Sequence, residues 1–90
     1  MQREIPLPDE LTEDMLIKAY PILSRAECRV LRWLCQAKKD AEIALIIGLA
    51  VATVSTHVRN MIHKLNVENR LALVIEVVRV VICREPRPGR

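Results

Sequence analysis

Within the eleven residues from Thr53 to His63, the side chains of Thr53, Ser55, Thr56, Arg59 and His63 supply three hydroxyls, a guanidinium and an imidazole. On a helix, Ser55, Thr56, Arg59 and His63 stand three or four apart and so share one face. Such groups hydrogen-bond to phosphate oxygens and to the edges of bases; they do not assemble bond-making chemistry. The sequence holds no nucleophile–base pair, no ligand cluster and no glycine-rich phosphate loop. It therefore predicts neither an enzyme nor a cofactor. Cys28, Cys35 and Cys83 form no C-x-x-C pair and no zinc spacing with His57 or His63, so no metal is expected. Cys28 and Cys35, two turns apart on one helix, read as small apolar fillers, and an odd cysteine count fits a reducing compartment.

The elements that must position this stripe can be read from punctuation and periodicity. Asp9, Glu10, Glu13 and Asp14 favour the start of a short leader helix from Pro8 to about Ala19, lined by Leu11, Met15, Leu16 and Ala19 and ended by Pro21. Ser24-Arg25-Ala26-Glu27 has the form of a capping box and predicts a helix to about Gln36, with Val30, Leu31 and Leu34 inward. Asp40 is expected to cap a helix over 41–47 whose core face is Ile43, Ala44 and Ile47. Gly48 permits the positive φ at which that helix stops. The polar stripe then falls on a helix from Val51 to Lys64 that buries Val54, Val58, Met61, Ile62 and Leu65. Two short helices joined by Gly48-Leu49-Ala50 form a helix–turn–helix, a common way for a small protein to place a helix in the DNA major groove.

Asn69 should cap a last helix from Arg70 to about Cys83. Its valines and isoleucines favour strand, but Glu76 and Arg79, three apart, share a face only on a helix. That helix is apolar nearly all round, and one protomer cannot cover it; Leu71, Ile75, Val78 and Ile82 are expected to meet the same helix of a second copy. Residues 1–7 read as a frayed end and 84–90 as a disordered basic tail, from which Arg87 and Arg90 could trail onto phosphates. The chain thus divides into an acidic leader (1–22), a helical domain (23–83) and the tail (84–90).

Ninety residues, 51% hydrophobic with only Tyr20 and Trp33 as aromatics, make one small domain with an aliphatic core. The longest near-apolar stretch, Leu71 to Cys83, is too short to cross a bilayer, and no signal peptide opens the chain, so a cytoplasmic, nucleoid-associated protein is expected. The initiating Met and the leader point to a complete chain. Net charge is −3 over residues 1–22 and +6 over residues 23–90, a weak indication of a polyanionic partner.

From Leu23 to about Val74 these residues resemble a LuxR-type (GerE-like) DNA-binding domain. Leu23, Ser24, Glu27, Val30 and Leu31 match its first helix, and Glu42-Ile43-Ala44 its second. Leu49, Thr53-Val54, His57-Val58, Asn60, Ile62, Lys64-Leu65, Val67, Asn69 and Arg70 continue the match without a gap. The resemblance implies an all-α fold, four helices preceded here by a leader helix, that dimerises through its last helix and inserts its third into a major groove. It places Ser55, Thr56 and Arg59 where the family reads bases or grips phosphates, with Thr53 and the start of that helix holding a phosphate. Ser55 and Thr56 could supply hydrogen bonds or a methyl contact to thymine, and His63 could reach a phosphate. Lys38 and Lys39 could touch the DNA backbone or stand in solvent, whereas His57 reads as a packed, helix-supporting residue.

Departures from the pattern sharpen the expectation. The family usually has Lys at Ser55, a hydroxyl cap at Ala50, Gly at Ala37, a polar pair at Leu45-Ile46 and a charge at Ala72. Losing the cap costs about 1 kcal/mol of helix stability. Leu45 and Ile46 are apolar surplus, either covered by the leader helix or serving as a docking site. The reading that follows is a bacterial transcriptional regulator: a homodimer on a two-fold-related double-stranded DNA site with half-sites about one helical turn apart. With no sensory domain, control would come through abundance or a partner protein. The rival is a LuxR-like interaction module that pairs with another regulator and binds DNA weakly or not at all. A sigma-like RNA-polymerase docking role ranks third.

Overall fold

The computed structural model describes residues 10–84 and is all-helical over them. Five α-helices follow in order: α1 (Glu13–Ala19), α2 (Arg25–Leu34), α3 (Asp40–Ile47), α4 (Val51–Lys64) and α5 (Arg70–Val77), the last continuing into a π-helical segment (Val78–Ile82). The expectations for 1–7, for Pro8 as a helix start and for Arg87 and Arg90 lie outside the described residues.

Local capping chemistry sets most boundaries. The Ser24 hydroxyl accepts from the Glu27 N–H at 3.1 Å while the Glu27 carboxylate accepts from the Ser24 N–H at 2.7 Å, a complete capping box. Asn69 Oδ1 accepts from the Ala72 N–H at 2.9 Å and starts α5. Gly48 ends α3 at φ 75°, where a side chain would be strained. Asn66 takes the same left-handed role after α4, at φ 54°.

Three boundaries differ from the sequence reading. The leader helix begins at Glu13, because the Thr12 hydroxyl caps it by accepting from the Met15 N–H at 3.2 Å. Helix α2 ends at Leu34, and the chain turns back through Ala37 at φ 63°. Asp40 is the first residue of α3, not its cap; Lys39 occupies the cap position with only its backbone N–H held, by Glu42 at 2.8 Å. Ala37 is an L-residue in a conformation that costs roughly 1 kcal/mol more for Ala than for Gly. Ala37→Gly is therefore expected to raise stability by at most about 0.5 kcal/mol, because the added unfolded-state entropy takes back roughly half or more of that relief. An increased urea midpoint would register it; a midpoint lowered by as much would show that Ala37 is not strained.

The core lies where α1, α2, α4 and the π-helical segment converge. Leu11, Leu16 and Tyr20 from the leader join Val30, Leu31, Ile43, Val54, Met61, Leu65, Leu73 and Val77 there. Cys28 and Cys35 are buried among them, and burial pushes the Cys35 thiol up to about 12, which leaves no thiolate for chemistry at neutral pH. The leader helix packs on α2 and on the π-helical segment, and the Tyr20 hydroxyl donates to a Glu76 carboxylate oxygen at 3.1 Å. It does not cover the α3 surplus: Leu45 is 86% exposed, and Ile46 is exposed beside it. One of the two alternatives for that pair is thereby removed.

The π-helical segment changes the expected dimer face. On a straight α-helix Leu71 and Ile82, eleven residues apart, would point within about 20° of each other. Here the Cys83 N–H bonds to the Val78 carbonyl five residues back, and the wider turn rotates Ile82 inward. Ile82 is 3% exposed and sits in the core; Leu71 and Ile75, at 67% and 45%, stay on the surface, with Val78 partly buried.

Candidate nucleic-acid interface

The two helices of the helix–turn–helix meet at 109°, within the range of DNA-reading motifs. Helix α3 packs against α4 from behind, and Ile43, Ala44, Val54 and Val58 of the two helices are all buried. The opposite face of α4 is left to solvent. Ala52, Thr53, Thr56, Arg59, Asn60 and His63 are all exposed there, forming one stripe. His57 is intermediate in exposure, between that stripe and the core face.

Two of the hydroxyls are committed within the protein. Ser55 Oγ donates to an Asp40 carboxylate oxygen at 2.7 Å, so it points toward the start of α3. Thr56 Oγ1 donates to the Ala52 carbonyl at 2.9 Å, one turn back along α4. Arg59 and His63 remain as the charged and titratable members of the stripe. Helix α4 opens without a side-chain cap at Ala50, so the N–H groups of its first turn are not covered by a hydroxyl. Lys39 is exposed and Lys38 half-buried at the α2–α3 turn, on the rim of a groove of about 710 Å³. Leu34, Ala37, Leu71 and Val74 line that groove, which runs into the exposed part of α5.

Two ion pairs hold α4 in place, and neither was read from the sequence. Asp40 receives Ser55 and also Arg70 of α5, whose guanidinium lies 2.6 Å from the carboxylate. The Arg70 hydrogen bond holds the Asp40 carboxyl below its ordinary range, with Ser55 adding to it against the cost of partial burial. One side chain thus ties the start of α3 to α4 and α5. At the other end of α4, Lys64 Nζ stands 2.8 Å from Glu27, which is only 2% exposed. Burial works to raise the Glu27 carboxyl, but the Lys64 and Ser24 hydrogen bonds outweigh it and the net shift is downward. The S-x-x-E motif marks Glu27 as a cap, and the K-L-x-V segment marks Lys64 as conforming to the family. Their pairing spans 37 residues and has no local signal.

Among the described residues no group of three or more His, Cys, Asp or Glu side chains comes together as a metal site, and no single helix is long and apolar enough to cross a membrane.

Helices α2 to α5, the 109° turn and the outward stripe define a helix–turn–helix domain. Residues 21–77 match the family described as bacterial regulatory proteins, luxR family (GerE), and the chain belongs to that family. Among curated proteins it is 43% identical over 56 residues to the transcriptional activator protein AnoR of Acinetobacter nosocomialis, covering 62% of this chain and 24% of that protein. It is 40% identical over 63 residues to the transcriptional activator protein EsaR of Pantoea stewartii, covering 64% and 25% respectively. It is 36% identical over 56 residues to the nitrate/nitrite response regulator protein NarP of Escherichia coli, covering 62% and 26%. The chain therefore spans about a quarter of the length of the curated relatives it matches. No solved structure gives a significant match.

Proposed function

We propose that this chain is a DNA-binding transcriptional regulator that acts as a homodimer, laying α4 in the major groove of double-stranded DNA. Helix α4 carries the reading: it is braced on one side and presents Thr53, Thr56, Arg59 and His63 on the other. Phosphate contacts from Thr53, His63, Lys38, Lys39 and the uncapped start of α4 would supply most of the affinity. Arg59 would bind a guanine edge or a phosphate. The two copies would meet through Leu71, Ile75 and Val78 of α5, so that two reading helices address a two-fold-related site. Such a protein works in the cytoplasm on the nucleoid.

Binding of the purified chain to generic duplex DNA across a salt titration tests the reading. Steep salt dependence is expected, and Arg59→Ala should weaken binding about tenfold and flatten the slope by about one phosphate contact. Absence of binding at low salt would overturn it. One observation favours a second reading, an interaction module that pairs with another regulator: Leu45 stands 86% exposed on α3. The same titration decides between them, since that module would bind DNA weakly or not at all.

A further inference from the structure

The groove of about 710 Å³ is lined from α2, the α2–α3 turn, the start of α3 and α5, and not from α4. Its apolar and charged linings are segregated. Leu34 and Cys35 at the end of α2 face Leu71 and Val74 of α5, which stand three apart on one side of that helix. The charged residues are the Lys38-Lys39-Asp40 run into α3 and Arg70 at the first position of α5. These meet at one end, because the Arg70 guanidinium lies 2.6 Å from the Asp40 carboxylate.

That end is cationic. Asp40 and Arg70 neutralise each other, and Ser55 donates to Asp40 at 2.7 Å. Lys38 and Lys39 form no ion pair among the described residues. The Glu42 carboxylate accepts from the Lys39 backbone N–H at 2.8 Å and does not line the groove. Two ammonium groups therefore stand at one end of an apolar trough. Mostly apolar walls, a few polar groups and a volume within roughly 300–1,000 Å³ are the form of a small-molecule site. An alkyl tail would leave water against the aliphatic walls, and an anionic head would pair with the lysines. A cationic head would meet like charge there. A peptide helix would carry its acids turn by turn, whereas the cations here are gathered at one end.

We propose that this groove binds a single-headed amphiphilic carboxylate, a fatty-acid anion of medium chain length. Lys38 and Lys39 hold its head, and Leu34, Leu71 and Val74 take its tail. The site does not depend on α4 reading DNA. An occupied groove would withhold both lysines from DNA phosphates.

Calorimetric titration of decanoate into the full chain, below its micelle concentration, tests the proposal. Decanoate should saturate at about one per chain and bind about tenfold or more tightly than decyltrimethylammonium, which reverses the head charge. Hexanoate, four methylenes shorter, should also bind about tenfold or more weakly. Lys38→Gln with Lys39→Gln should weaken decanoate binding about tenfold, and the corresponding double Arg variant should retain it. Leu71→Glu should abolish binding by placing a carboxylate beside the tail. Ile75→Glu, on the proposed dimer face but outside the groove, should leave it unchanged. Circular dichroism of each variant establishes that the fold is retained. Absence of saturable binding, equal binding of the cationic amphiphile, or indifference to the lysine pair would overturn the proposal. Loss of binding in Ile75→Glu would overturn it in favour of a groove completed by a second copy. Binding of an acidic amphipathic helical peptide, with none of decanoate, would overturn it in favour of a protein-docking surface.

Discussion

Replacing Lys64 by Met is expected to destabilise the domain by about 2–3 kcal/mol at pH 7, one of the largest effects of any substitution at a surface-reaching position. The variant keeps an aliphatic stem of similar length but leaves the Glu27 carboxylate buried without its counter-ion. Removing one partner of a buried pair costs roughly 3–5 kcal/mol. The lower end applies because Lys64 is over a third exposed and water reaches that side of the pair. Glu27→Gln should cost less, about 1 kcal/mol, since the amide oxygen can still accept from the Ser24 N–H and no buried charge is stranded. Glu27, together with Asp40, sets the response to acid. Glu27 and Asp40 both titrate below their ordinary values, near 4.5 and 3.8, so the unfolded chain binds more protons than the folded one in that range. Their contribution is fully present above those ordinary values and is lost as pH falls through the lower folded ones. In Lys64→Met the depression of Glu27 disappears, and the gap between variant and wild type should narrow toward pH 3. Urea midpoints measured from pH 7 to pH 3 check both statements; a gap that widens on acidification would refute the assignment.

That pair also marks the limit of what was legible in the chain. Features written within four residues were readable: the Ser24–Glu27 box, the Asn69 cap, the glycine stop at Gly48, and the missing cap at Ala50. The division of α4 into core and outward faces was readable too, since periodicity alone decides it. Asp40 was misplaced because a carboxylate just ahead of an apolar helix is the ordinary signature of an N-cap, and nothing local announces that Ser55 and Arg70 will compete for it. Glu27 and Lys64 were each singled out, but their meeting depends on how α2 crosses α4. The commitment of the Ser55 and Thr56 hydroxyls has the same origin: residue type predicts a donor, and only the fold says where the donor is spent.

Leu71→Glu combined with Ile75→Glu is expected to convert a dimer into a monomer and to reduce affinity for a two-fold site about a hundredfold. Both side chains are exposed in the protomer, so the change should leave the thermal midpoint of the isolated domain nearly unaltered. Four acidic groups facing one another across a two-fold axis would repel, and the apolar contact proposed to join the copies would be gone. The affinity falls because the second half-site is no longer delivered at high effective concentration by the first. Sedimentation and titration on one- and two-half-site duplexes distinguish the outcomes. Equal affinity of wild type and variant for the two-half-site duplex would show that α5 does not join copies. Ile82→Glu provides the contrast, since Ile82 lies in the core at 3% exposure and its replacement by a charge should unfold the domain before it separates any partners.

The π-helical segment over Val78–Ile82 sets how this part of the chain can change over generations. A π turn is equivalent to one extra residue accommodated within an α-helix. It lets Ile82 join the core beside Leu73 and Val77 while Leu71 and Ile75 stay on the surface, without a loop between them. Point changes among those aliphatics keep that arrangement, because one branched residue replaces another of similar volume. Deleting a single residue there would restore regular α-helical phase with Leu71 and Ile82 ten residues apart, about 80° from each other, and so keep Ile82 on the inward side. The leader helix would keep the surface on which it packs. The end of this domain is thus tolerant of spelling and of losing the one residue that the π turn absorbs. It is straightening at its present length that would turn Ile82 outward.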